Sequence, residues 1–125
     1  MTEPTRLPLA VELVAGNAPG TVIFRFNGPF TARAVFAAQS PEAFDKMFAL
    51  EPAAPATTHI FDLTQVPYMD SAGLGMVVRH YTRCQSNGVR FVAAGATPRV
   101  LELLKVTRVN TVLPLAASLA EADTP

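Results

Sequence analysis

Cysteine occurs once, at Cys84, so no internal disulfide can form, and the sequence fits a reducing compartment. Charge of one sign is equally scarce. Ten basic residues balance ten acidic ones, and no basic block stands out. That excludes the electrostatic footprint of direct nucleic-acid binding and of attachment to anionic lipid. No apolar run approaches the roughly 18–20 residues needed to cross a bilayer, so no membrane insertion is expected. The opening Met1-Thr2-Glu3-Pro4-Thr5-Arg6 lacks the charged region and apolar stretch of a signal peptide, and a cytoplasmic location is the expectation. A Gly-x-Ser-x-Gly elbow is absent, and so is a Gly-rich loop ending in Gly-Lys-Ser/Thr.

Half of the 125 residues are apolar, enough for one compact domain, with its core expected over about residues 9–122. Leu9 to Ala15 and Thr21 to Phe26 read as two strands joined by the turn cluster Gly16–Gly20. In the second, Val22, Phe24 and Phe26 face one way and Ile23, Arg25 and Asn27 the other. Thr31 to Leu50 reads as helical with a break or kink near Pro41, and the upstream piece, Ala32 to Ala38, can stand as a separate short helix. Ser40-Pro41-Glu42 signals a fresh helix start, with Phe44, Met47 and Phe48 as its apolar face. Thr58 to Leu63 reads as a buried strand.

Ser71 to Gln85 is the clearest helix, with Leu74, Val77, Val78 and Tyr81 as its inner stripe and Arg79, His80 and Arg83 elsewhere on the cylinder. Asn87-Gly88 closes it. Val89 to Ala94 is another strand, and Thr97-Pro98 opens a helix with Val100, Leu103 and Leu104 inward. Thr111 to Leu115 reads as a last strand, with Pro114 marking an edge. Ser118 to Ala122 forms a final helical turn. The order β-β-α-β-α-β-α-β-α predicts an α/β fold: a mixed, mostly parallel sheet with an antiparallel N-terminal strand and helices packed on it.

Asp70 and Ser71 stand where a strand gives way to a helix. Either can cap the helix, and capping is the plain structural role for such residues. Ala72, Gly73 and Gly75 ask for more, since a glycine inside a helix costs roughly 0.5–1 kcal/mol against alanine. Close packing on the sheet is one reason for two glycines in a turn. Close approach of another protein's backbone is the other. A phosphate on Ser71 would meet free N–H groups and the positive end of the helix dipole. It would also add about −1.5 to −2 charges to a small-residue surface, which a docked partner would feel. That use requires Ser71 to be at least partly exposed, on one face with Gly73.

The run Phe61-Asp62-Leu63-Thr64-Gln65-Val66-Pro67-Tyr68-Met69-Asp70-Ser71-Ala72-Gly73-Leu74-Gly75 resembles the central motif of STAS domains, and more narrowly that of bacterial anti-sigma-factor antagonists. The resemblance continues through Gly88–Gly95, Val100–Leu104 and Val106–Val109. It implies a STAS-like fold. It also implies that Ser71 is the site phosphorylated by a cognate anti-sigma factor serine kinase, and that a metal-dependent serine phosphatase resets it. By the same resemblance, the unphosphorylated form binds the kinase and frees the sigma factor. Asp70, Ser71, Ala72, Gly73 and Leu74 form the partner-binding surface, no cofactor is implied, and a weak homodimer stays open. Two departures stand out: Gly28 is followed by Pro29-Phe30-Thr31-Ala32 without the acid common there, and Ala72 replaces a common hydroxyl residue.

Two other readings compete. Catalysis by Ser71 needs a base, and His59 and His80 are the only histidines. His80 lies nine residues on, about 13.5 Å along a helix at 1.5 Å per residue, and His59 falls at the far end of its strand. Cys84 and the two histidines lack an evident metal-ligand spacing, so neither an enzyme nor a metal site is expected. The nearer rival is a STAS-type module that is never phosphorylated, acting as a scaffold or as a subunit of a transport system.

Overall fold

The computed structural model describes residues 9–38 and 56–124. The expected helix start at Ser40-Pro41-Glu42 lies outside them. Five strands form one sheet in the order β1-β2-β3-β4-β5: β1 Ala10–Ala15, β2 Thr21–Asn27, β3 Thr58–Gln65, β4 Arg90–Ala94 and β5 Leu115–Ala116. β1 pairs antiparallel with β2 through the Gly16–Gly20 turn, and the remaining pairs are parallel. Four helices accompany them among the described residues: α1 Ala32–Ala38, α2 Ser71–Ser86, α3 Pro98–Val106 and α4 Leu119–Ala122.

Burial on both faces makes β3 central. Its Ile60, Phe61 and Leu63 are at most 1% exposed. Phe24, Phe26, Phe61, Leu63, Phe91 and Ala93 turn to one side, where Ala34 and Val35 of α1, Leu74 and Val77 of α2 and Val100 and Leu104 of α3 pack on them. Ile23, Ile60, Val92 and Ala94 turn to the other side, which α4 covers through Ala122. Asp123 fastens that helix: its carboxylate accepts the Asn17 N–H at 2.9 Å, tying it to the β1–β2 turn.

Two expectations need correction. Thr111 to Leu115 is not a strand. Val109–Thr111 forms a 3₁₀ turn, and β5 is only Leu115–Ala116. Leu113 is instead a core residue at 3% exposure. The apolar spelling around it reflects a plug, and Pro114 contributes only its carbonyl, which accepts the Ala93 N–H at 2.9 Å. The inner stripe of α2 is also rotated from the expected one. Gly73, Leu74, Val77, His80 and Cys84 are buried, whereas Val78 and Tyr81 are half-buried. His80, which lies off the expected stripe, is on the buried face: the ring is 2% exposed and sits among aromatics.

Candidate functional site

Two loops meet at the start of α2. The loop after β2 runs Gly28 to Thr31, and the loop after β3 runs Val66 to Asp70. They lie side by side: Gly28 N–H donates to Gln65 O at 3.1 Å and Phe30 N–H to Tyr68 O at 3.0 Å. Asp70 N–H donates back to Phe30 O at 3.3 Å. A parallel bridge joins Phe30 to Met69, and Phe30 is fully buried. Gly28 takes a φ of 119°, a turn that a residue with a Cβ resists.

Asp70 is the cap of α2. One carboxylate oxygen accepts the Gly73 N–H at 2.9 Å, and the other accepts the Ala32 N–H at 3.1 Å, at the first residue of α1. A single carboxylate thus joins two helix starts, satisfying a donor of each and facing the positive ends of both. Removal of a capping side chain typically costs about 1 kcal/mol, so Asp70→Ala, losing two such bonds, should destabilise the fold by about 2 kcal/mol. Asp70→Asn keeps one acceptor and should lose about half of that. Urea unfolding checks both, and equal stability of Asp70→Ala and wild type would contradict the double cap.

The two helix glycines serve different ends. A methyl at Gly73 would overlap the Phe30 carbonyl oxygen and come within 2.9 Å of its carbon. Gly73 therefore faces inward and lets α2 seat on the Gly28–Thr31 loop. Leu74 likewise points into the core, at 7% exposure. A methyl at Gly75 would meet nothing within 4 Å. Ser71, Ala72 and Gly75 are all exposed. Ser71 and Gly75 stand one turn apart and share a face, so the surface beside Ser71 is completed by Gly75 and not by Gly73. Tyr68, 38% exposed, borders the same loop, and the Arg99 guanidinium lies 4.8 Å from its ring centre.

Both histidines are occupied elsewhere. His59 opens β3, and its Nδ1 lies 2.9 Å from His80 Nε2, with Cys84 Sγ 3.8 Å from the same nitrogen. The three side chains thus converge in space although their spacing in the sequence shows no metal-ligand pattern. His80 and Cys84 are four apart on a helix, and that interval was the signal available in the sequence. Burial holds the His59 imidazole near a pKa of about 4. It holds His80 near about 3, with the His59 and Arg83 charges adding to the effect. Burial also pushes the Cys84 thiol up to about 11. Both rings are therefore neutral at pH 7 and packed away from the hydroxyl at the start of α2.

Five strands of this order, helices on one face and a short helix on the other define an α/β domain of the STAS kind. The family model for the STAS domain matches residues 12–122, and the chain belongs to that family. Among solved structures it is similar to an anti-sigma factor antagonist from Mycobacterium paratuberculosis, at 16% identity over 98% of this chain and 95% of that one, TM-score 0.74. It is also similar to SpoIIAA, an anti-sigma factor antagonist solved in its unphosphorylated form (20% identity, 90% and 92% coverage, TM-score 0.66). The phosphorylated form of that Bacillus protein matches too (19%, 90% and 96%, TM-score 0.62). A sulfate transporter family protein from Wolinella succinogenes is similar at 18% identity over 88% and 85%, TM-score 0.70. At these identities the likeness is one of fold. No helix of the described residues is long and apolar enough to cross a membrane.

Proposed function

We propose that this chain is an anti-sigma-factor antagonist that works by binding, not catalysis, with Ser71 as its phosphorylation switch. Unphosphorylated, it docks on an anti-sigma factor serine kinase in the cytoplasm and releases the sigma factor. Phosphate on Ser71 ends the docking, and a metal-dependent serine phosphatase restores it. One observation carries the reading: Ser71 is exposed in the first turn of α2 beside exposed Ala72 and Gly75. An exposed glycine in a helix, with no neighbour near its Cβ position, has no packing reason to be there. A partner backbone laid against the helix supplies one. Gly73 and Leu74 contribute by seating the helix, and Asp70 by fixing its first turn.

The charge argument gives the direction of the switch. The first intrahelical bond runs from Leu74 N–H to Asp70 O, so the N–H groups of Ser71 and Ala72 have no helical carbonyl four residues before them, and the fold tolerates an anion there. A partner pressed on the same patch meets added bulk and charge that it cannot leave solvated. Calorimetry with the serine-kinase anti-sigma factors of the same genome tests this. Ser71→Ala should bind one of them as wild type does, and Ser71→Asp should bind at least about 100-fold more weakly, near 3 kcal/mol. Equal affinity for both variants would contradict the reading. Stoichiometric binding to a transport ATPase, with no phosphate incorporated, would favour the transport-subunit alternative that the sulfate transporter likeness keeps in view.

A further inference from the structure

The switch uses neither histidine nor the cysteine, yet the fold brings all three to one point beneath α2. His59 comes from β3, and His80 and Cys84 come from successive turns of α2. Their donor atoms all lie within 4.8 Å of one another, and the three residues are 3%, 2% and 0% exposed. The two imidazoles are nearly coplanar, at 14°, with ring centres 5.1 Å apart. A ring centre lies about 1.1 Å from its nitrogen by ordinary covalent geometry, so a 2.9 Å contact accounts for that whole separation. The facing nitrogens therefore point at each other edge to edge, and Sγ approaches from the side.

We propose that His59 Nδ1, His80 Nε2 and Cys84 Sγ form a three-coordinate site for a soft monovalent cation, Cu(I). The donor set is the first argument. A thiolate selects soft metals, and imidazole is compatible with copper. Spacing is the second. Metal–nitrogen bonds near 2.0 Å and metal–sulfur bonds near 2.3 Å place trigonal donors roughly 3.5 Å (N to N) and 3.7 Å (N to S) apart. One sulfur–nitrogen separation, Cys84 Sγ to His59 Nδ1 at 3.8 Å, already matches, and Sγ lies within 4.8 Å of His80 Nε2. To admit the ion the imidazoles must part by about half an ångström from their 2.9 Å contact and turn so that both lone pairs converge beside the line that joins them.

Charge is the third argument, and it separates the candidate metals. Phe24 and Phe61 pack on the rings, at 5.0 Å from His59 and 4.9 Å from His80 respectively. In such an apolar enclosure an uncompensated charge is costly. One thiolate, two neutral imidazoles and Cu(I) sum to zero. Zn(II) would leave one positive charge and would also want a fourth ligand. Binding is not a redox step. The Cys84 S–H bond breaks, an S–Cu bond forms, copper stays Cu(I), and one proton leaves to solvent. The proton shared by the facing nitrogens moves to the other nitrogen of its own ring, so each ring presents a lone pair.

Anaerobic titration of the full reduced chain with Cu(I), in competition with the chelator bicinchoninate, tests the site. One equivalent should pass from chelator to protein, with one proton released. X-ray absorption should report one sulfur and two nitrogen neighbours. Cys84→Ala, a small change in volume, should bind Cu(I) at least 100-fold more weakly while keeping its circular dichroism. The X-ray absorption result on wild type decides the matter if that variant does not fold. Failure to take copper from the chelator, a copper shell without sulfur, or equal affinity in Cys84→Ala would each overturn the proposal. So would one equivalent of Zn(II) displacing bound Cu(I). None of these readouts involves Ser71 or its phosphate.

Discussion

Replacing Gly73 with alanine should lower stability by about 2 kcal/mol or more, whereas the same change at Gly75, two residues away, should raise it by about 0.5–1 kcal/mol. The contrast follows from what each new methyl would touch. At Gly73 it would strike the Phe30 carbonyl. That group cannot step aside, because it accepts the Asp70 N–H and its residue pairs with Met69. Overpacking against such a rigid neighbour costs up to about 3 kcal/mol or more, and the helical preference for alanine returns a little under 1 kcal/mol. At Gly75 no atom lies within 4 Å, so only the helical preference acts. For a chain of this length 1 kcal/mol moves the melting temperature by about 4 °C. The pair should therefore melt on opposite sides of wild type. A Gly73→Ala protein as stable as wild type would contradict the close seating of α2 on the Gly28–Thr31 loop.

Stability should fall steeply as the pH drops from about 7 to about 5. In the folded chain His59 and His80 stay neutral down to about pH 4 and about pH 3. Unfolded, each binds a proton below about 6.5. Between those values the unfolded chain holds more protons, so stability rises with pH across the window and is complete above about pH 7. Each histidine contributes at most about 1.4 kcal/mol per pH unit, and the two together about 3–4 kcal/mol between pH 7 and pH 5. A typical total of about 5–15 kcal/mol makes that a large share. Urea unfolding in the presence of a chelator, at pH 7, 6 and 5, should show the decline. The imidazole proton resonances should not titrate above pH 5. A flat stability over that range, or rings that titrate near 6.5, would contradict the buried neutral pair.

The sequence and the fold agree where side-chain pattern alone decides the structure. Val22, Phe24 and Phe26 alternate as a strand requires, and the strand is there. Thr97-Pro98 announced α3, which begins at Pro98. Asp70 and Ser71 were equal candidates for the cap of α2. Geometry separated them, because only Asp70 reaches both Gly73 N–H and Ala32 N–H. That second donor comes from 38 residues upstream, and local spacing cannot reveal it.

The misses have two physical causes. His80 falls off the stripe of Leu74, Val77, Val78 and Tyr81, yet a histidine can be buried when another imidazole accepts or donates to it. Leu113 looked like part of a strand because apolar residues surround it, although a 3₁₀ turn delivers it to the core equally well. Gly73 and Gly75 looked alike on paper. Only the position of the Phe30 backbone shows that one belongs to the interior and the other to the surface. For His80 and Gly73 the deciding partner, His59 or Phe30, is distant in the sequence; for Leu113 it is the neighbouring turn.

The most direct measurement of the central claim is phosphosite mapping by mass spectrometry, after incubation of the chain with each serine-kinase anti-sigma factor encoded in the same genome, magnesium and ATP. A single phosphate on Ser71, absent from Ser71→Ala, and loss of the complex once it is added are the predicted results. A stable complex that carries no phosphate, or phosphate on another residue with Ser71 untouched, would contradict the account.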